Sequence, residues 1–171
     1  MTFYELAKKR FSCRNFSDKP VEPEKLKKIL EAGSIAPSAH NKQPQKIYAI
    51  TSNDGIEKIS ALSQYIYGAR TVLIIAYDKN IAMMSDDRPG YCYGEMDATI
   101  CATHMILQAA ELGVDSCWVG GFSDTEVSHA FGLPENIQIV ALMDLGYASE
   151  GVRPSHLHDK IRSLEETTAY L

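Results

Sequence analysis

Apolar residues fall in this chain at three kinds of spacing, and each predicts a different element. Leu26, Ile29 and Leu30 recur at helical intervals behind Pro23, a residue suited to a first helical position. The spacing predicts a helix that opens there and stops near Gly33, before Pro37. Thr2 can cap a shorter helix running to about Arg10. Thr71–Tyr77 is apolar without alternation, which predicts a strand covered on both faces. Ile47–Thr51, Ser116–Val119 and Gln138–Leu145 read as further strands, and Asp54–Leu62 and Asp124–Phe131 as short helices. The third pattern is a long helix, about Glu95 to Leu112, closed by Gly113. Met96, Ala98, Ile100, Cys101, Met105, Ile106 and Leu107 ring it almost completely. A helix apolar all round is covered on all sides. A single chain of 171 residues has difficulty covering both faces of it, so a partner subunit is expected.

The order of elements is helix, helix, strand, helix, strand, long helix, strand, helix, strand. Two leading helices and the lack of strict alternation favour an α+β fold on one small sheet, with residues 1–171 as a single domain. Residues 36–46 form a polar loop, residues 78–93 are irregular, and the tail after Gly146 is too polar for a core of its own.

Composition narrows the function classes. The chain is 45% hydrophobic and 23% charged, an ordinary globular balance. Its net charge is −5, which disfavours a nucleic-acid binder. Residues 1–50, however, hold ten Lys and Arg against five Asp and Glu, whereas residues 51–171 hold seven against 17. A small anion held by the N-terminal third therefore stays open. The opening residues carry no apolar leader, and no run approaches the ~20 apolar residues of a membrane span, so a cytoplasmic location is expected. The four cysteines, Cys13, Cys92, Cys101 and Cys117, are then reduced thiols. No CxxC pair occurs. Cys101 and His104 with Cys92 or Cys117 offer metal ligands in principle, but closely spaced ligand pairs are missing and no metal is expected. GxGxxG, GxxxxGK[ST] and GxSxG are absent.

Three short patterns carry candidate chemistry. Arg10-Phe11-Ser12-Cys13-Arg14 sets two guanidinium forks around a hydroxyl, a donor set suited to an anion; a solvated basic helix end is the plainer alternative. Pro37-Ser38-Ala39-His40-Asn41-Lys42-Gln43-Pro44 packs amide side chains between two stiffening prolines, suited to ribose-like hydroxyls or a ring amide, or simply a surface loop. Cys117-Trp118-Val119-Gly120-Gly121-Phe122 ends a strand with two glycines, which lets backbone approach a flat ring, or merely turns the chain into the next helix.

Together, in this order and spacing, the Arg-x-Ser-x-Arg-x-Phe start (Arg10 to Phe16), the Ala-Pro-Ser-x-x-Asn-x-Gln-Pro loop (Ala36 to Pro44), the Asp97-Ala98 helix and the Cys-Trp-x-Gly-Gly turn resemble the nitroreductase family of FMN-dependent oxidoreductases. The resemblance spans nearly the whole chain. It implies a small central mixed β-sheet flanked by helices, with the long buried helix at a homodimer interface and FMN held between subunits. It implies NADH or NADPH as reductant, with hydride passing through flavin N5 to an electron-poor acceptor such as a nitroaromatic or quinone. A dehalogenase-like reaction, or flavin storage or sensing without turnover, are the alternatives. Arg10, Phe11, Ser12 and Arg14 resemble the N-terminal FMN contacts, with Arg10 and Ser12 toward the phosphate and Arg14 near the N1–C2=O edge. Pro37, Ser38, Asn41 and Gln43 resemble the loop contributed by the second subunit. Gly120 and Gly121 resemble the turn beside N5, and Arg153 the C-terminal phosphate ligand. No side chain is assigned as general acid; His40 reads as a solvated loop histidine. Three departures stand out: Gln45 replaces a frequent aromatic after Gln-Pro, Arg70 follows Ala69 where Ala-Pro often introduces the strand at Val72, and residues 78–93 leave little length for a substrate-covering lid. Tyr91 and Tyr93 lie in that segment.

Overall fold

The computed structural model describes all 171 residues. Helices α1 (Phe3–Lys9) and α2 (Pro23–Ser34) precede strand β1 (Gln45–Ile50). Then follow α3 (Asn53–Leu62), β2 (Thr71–Asp78), α4 (Gly94–Glu111), β3 (Asp115–Val119), α5 (Asp124–Phe131), β4 (Ile137–Gly146) and the short α6 (Leu164–Thr167). Every element expected from the spacing is present. Local chemistry explains the ends. Thr2 and Glu5 form a reciprocal capping box on α1, Pro23 opens α2, and Ser52 and Ser123 cap α3 and α5 through their hydroxyls. Helix α5 ends on Gly132 at φ 62°, a left-handed position that glycine takes without strain.

The four strands form one sheet in the order β1-β2-β4-β3. All three pairings are antiparallel. The parallel component of a mixed sheet is confined to one bridge, Ser12 to Ser116, where the N-terminal segment lies along the free edge of β3. Strands β2 and β4 are central, so Val72–Ala76 has no exposed surface, as its unbroken apolar run predicts.

Two cores result, one on each face of the sheet. Val72, Ile74, Cys117, Val119 and Leu142 face α3 and α5, with Cys13 and Phe16 closing that core from the N-terminal segment. Leu73, Ile75, Met143 and Leu145 face α2 and α4, against Ile29, Cys101 and Met105. Helix α2 approaches α4 closely at Gly33, where a Cβ would stand 2.8 Å from Met105 and 2.9 Å from Cys101.

Helix α4 buries one face: Gly94, Asp97, Ala98, Cys101, Ala102, Met105 and Ala109. On its other side Met96 is 47% exposed, and Ile100 and Leu107 are only half-buried. Phe3 and Ile35 are also exposed nearby, around a cavity of about 270 Å³ that Leu6, His104 and Leu107 help line. The segment after Asp78, irregular in sequence, is a compact hairpin closed by a bridge between Met84 and Cys92. The tail beyond Gly151 is largely exposed. No helix is long and apolar enough to cross a membrane.

Candidate functional site

The basic segment Arg10–Arg14 leaves helix α1 in extended conformation and docks on β3, where the Cys13 N–H donates to Ser116 O at 2.9 Å. That docking points Cys13 into the core and turns its neighbours outward. Arg10, Ser12 and Arg14, with Phe11, line a cavity of about 460 Å³ whose other wall is Ser155, Leu157 and His158 from the C-terminal tail. Its polar lining is two guanidinium groups, two hydroxyls and an imidazole, with no carboxylate. The tail is held there by a hydrogen bond of 3.0 Å between His158 Nε2 and Lys8 O. Such a donor-rich, acid-free pocket suits the oxygens of a phosphate. Sequence reading missed Ser155 and His158; their only signal was proximity to Arg153-Pro154. Arg153 itself is exposed and does not line this cavity.

The glycine turn lies at the far end of the same edge strand. Ser63 Oγ donates to Gly121 O at 2.8 Å and fixes the turn. Gly121 is needed for packing within the chain, since a Cβ there would stand 2.3 Å from the Tyr65 ring. Gly120 is different: nothing lies within 4 Å of where its Cβ would be, so its backbone faces open space. A flat ring can approach it without meeting a side chain.

The Asn/Gln loop is built by strain and two anchors. His40, Asn41 and Gln43 all have positive φ, at 49°, 53° and 49°. For residues other than glycine such conformations persist where surrounding contacts over-determine them. Here Ser38 Oγ accepts from the Gln43 N–H at 2.9 Å, and Asp97 Oδ1 accepts from the Ala39 N–H at 2.9 Å. Gln43 Nε2 donates to Asn41 Oδ1 at 3.2 Å. Pro37, His40, Asn41 and Gln43 are exposed, so the amides stand in a preformed array facing away from the chain. Asp97 is only 3% exposed, and its Oδ2 has no partner.

These groups do not meet within one chain. The loop runs straight into β1 at one edge of the sheet, while Arg10–Arg14 pairs with β3 at the other. The structure brings Arg10, Phe11, Ser12 and Arg14 together around one cavity. It leaves Pro37, Ser38, Asn41 and Gln43 across the breadth of the sheet from them.

One buried acid sits behind the basic segment. Asp144 on β4 has no exposed surface and neither carboxylate oxygen has a partner. Burial pushes its carboxyl up to about 8, so it is mostly neutral at pH 7. Cys117, its cross-strand partner, is pushed up to about 11, first by burial and then by Asp144, while Arg14 and Arg10 pull the other way. Cys13 is raised too, chiefly by burial. These thiols are inert packing groups at neutral pH. No group of three or more His, Cys, Asp or Glu side chains gathers as a metal site.

Comparison with known proteins identifies the family and the fold. The model of the nitroreductase family matches residues 7–65 and 60–147. A nitroreductase family protein of Clostridium difficile is 37% identical, with 99% of this chain and 98% of that one superposed at a TM-score of 0.92. A protein of Archaeoglobus fulgidus, provisionally named an NADH dehydrogenase/NAD(P)H nitroreductase, is 28% identical over 148 residues, 82% of each chain. A protein of Exiguobacterium sibiricum, crystallised in complex with FMN, is 20% identical and shares the fold at a TM-score of 0.83 over 100% of this chain and 98% of its own. The family match spans every motif described above except the C-terminal tail, and this chain belongs to the nitroreductase family.

Proposed function

We propose that this protein is an FMN-dependent oxidoreductase that takes electrons from NADH or NADPH and delivers them to an electron-poor acceptor such as a nitroaromatic or quinone. The observation that carries this reading is the acid-free cavity of Arg10, Ser12, Arg14 and His158 at the β3 edge. Its donors fit a phosphate tail, and the open backbone at Gly120 fits the approach of a flat ring. The FMN bound by one relative and the nicotinamide chemistry in the name of another point the same way.

When bound, FMN supplies the redox chemistry, accepting hydride from the nicotinamide and passing it to the acceptor. The protein supplies binding and electrostatics. Arg10 and Ser12 hold the phosphate through charge-assisted and neutral hydrogen bonds. Arg14 stabilises the negative charge that reduction places on the N1–C2=O edge of the ring. Gly120 keeps the approach to N5 free of side chains, and Gly121 lets the turn pack against Tyr65 beneath it.

The loop of Pro37, Ser38, Asn41 and Gln43 completes the site from a second copy of the chain. Two features support this. The loop lies at the opposite sheet edge from its own chain's basic cavity, and the outer face of α4 keeps Met96, Ile100 and Leu107 without full cover. A homodimer with one FMN at each of two shared sites satisfies both.

The test is anaerobic reduction of the purified flavoprotein. NADH or NADPH bleaches the visible flavin band, and a quinone or nitroarene restores it. A bound flavin that neither nicotinamide bleaches sinks the enzyme reading and leaves flavin storage. Light scattering at the mass of one chain sinks the shared site.

A further inference from the structure

The hairpin between β2 and α4 and the Asn/Gln loop form one unit. At one end the Asp78 N–H donates to Pro44 O at 2.8 Å. At the other, Asp97 accepts from the Ala39 N–H, and the Asp97 N–H itself donates to Tyr93 O at 2.9 Å. The base of the hairpin is thus joined to both flanks of the loop.

The hairpin tip is built around an arginine. Tyr93 N–H donates to Met83 O and Ser85 N–H to Tyr91 O, each at 2.9 Å, and Gly90 makes the turn at φ 79°. Tyr91 and Tyr93 project to the same side and meet edge to face, with ring centroids 5.1 Å apart. The Arg88 guanidinium lies 3.4 Å from the Tyr91 centroid and 5.9 Å from that of Tyr93. Stacking holds it while leaving its N–H groups in the guanidinium plane free to donate. Arg88 is exposed and joins no ion pair, although Asp86 and Asp87 directly precede it. Elsewhere on the surface, Arg70 engages Asp18, and Lys19 and Lys25 engage Glu22. An exposed arginine preorganised on aromatic rings, with no carboxylate partner, is a binding element for a planar anion.

We propose that Arg88, with Tyr91 and Tyr93, is the acceptor-specificity element of the site and selects aromatic acceptors carrying a carboxylate or similar anionic group. This rests on the shared-site reading above, in which the loop completes the site of the second subunit; the hairpin adjoins that loop at its base. The guanidinium takes the anionic group by a bidentate pair, and the tyrosine rings flank the acceptor's ring. The short 79–93 segment thus acts as a selective rim in place of a long lid.

The test uses the FMN-loaded protein with para-nitrobenzoate and its neutral methyl ester as paired probes. Binding to the oxidised protein is measured by calorimetry, and kcat/KM with NADPH in steady state. The wild-type protein prefers the carboxylate. Arg88→Ala lowers the carboxylate-to-ester preference about tenfold or more in both measurements, the loss expected for a charge-assisted contact. Arg88→Lys keeps part of it, because the charge remains and the fork does not. Arg88→Gln, which keeps the stem, reproduces the Ala result and controls for lost packing. An unchanged preference in Arg88→Ala overturns the proposal. So does a rise confined to the KM for NADPH, which assigns the anion to the reductant. Failure of both nitroarenes to turn over, with the binding preference still lost in Arg88→Ala, refutes nitroarene reduction but keeps the anion site.

Discussion

The carboxylate of Asp97 accepts a hydrogen bond of 2.9 Å from the backbone N–H of Ala39 and so ties the first turn of α4 to the strained loop 38–43. Because Asp97 is buried and the loop holds three non-glycine residues at positive φ, this contact, with the Ser38–Gln43 bond, keeps the amide array in place. Asp97→Ala leaves the Ala39 N–H unpaired and lowers stability by about 1–3 kcal/mol, read by urea denaturation. Hydrogen exchange at Ala39 and Gln43 speeds up in the same variant. Asp97→Asn, which keeps an acceptor oxygen, restores most of the protection.

The two glycines of the turn separate folding from flavin binding. Gly120→Ala puts a methyl into open space and leaves the melting temperature of the flavin-free protein unchanged. In the proposed site that methyl stands where the ring approaches, so FMN affinity falls. Gly121→Ala meets Tyr65 within the chain and destabilises the flavin-free protein by about 1–3 kcal/mol. Calorimetric melting with and without FMN tells the two apart, and equal FMN affinity in Gly120→Ala and wild type refutes the assigned ring position.

Arg10→Ala removes a donor from the acid-free cavity and weakens FMN binding by about 1.5–3 kcal/mol. Arg153 lies outside that cavity, so Arg153→Ala has a smaller effect. Fluorescence titration of apoprotein with FMN measures both. An Arg153→Ala loss as large as that of Arg10→Ala would place Arg153 on the phosphate.

Asp144 makes stability fall as pH rises. Its folded pKa, about 8, lies above its ordinary value of 3.8, so between these the folded state holds a proton that the unfolded state has released. The stabilisation of the neutral acid is complete below about pH 4 and gone once pH passes about 8. The slope is at most about 1.4 kcal/mol per pH unit in that window. Asp144→Asn abolishes this contribution and is more stable than wild type at pH 8. Urea denaturation across the range shows it as a loss of slope.

The cluster of Glu22, Lys25 and Tyr147 has the opposite dependence. Tyr147 donates to Glu22, and Lys25 Nζ donates to Tyr147 Oη at 2.9 Å. The Tyr147 hydrogen bond foremost holds the Glu22 carboxyl down at about 2, below its ordinary 4.5. Its contribution is therefore present above pH 4.5 and lost as pH falls through about 2. In Tyr147→Phe, NMR titration shows the Glu22 carboxyl returning toward its ordinary value.

Much of the fold was legible because its signals are local. Pro23 and Thr2 announce helix starts, and the unbroken Thr71–Tyr77 run announces a strand buried on both faces. The donors at Arg10–Arg14 that the structure gathers around one cavity were legible because they lie within five residues. Ser155 and His158 were not, since they join that cavity from the other end of the chain. Tyr65 behind Gly121 and the Asp97–Ala39 clamp were hidden for the same reason: each contact spans more than fifty residues.

The sequence by itself determined where helices and strands form, which faces are apolar and which short segments carry donors, since all of these follow from spacing and residue type along a few turns of chain. Only the tertiary structure decided how those segments are arranged. Strand β4, late in the chain, inserts between β2 and β3 through long-range antiparallel pairing, and this sends the basic segment and the amide loop to opposite edges of the sheet. No local pattern encodes that separation, because strand order is set by contacts between distant residues. The apolar ring of α4 was visible in sequence, but which side faces the chain's own core was settled by packing against α2 and the sheet.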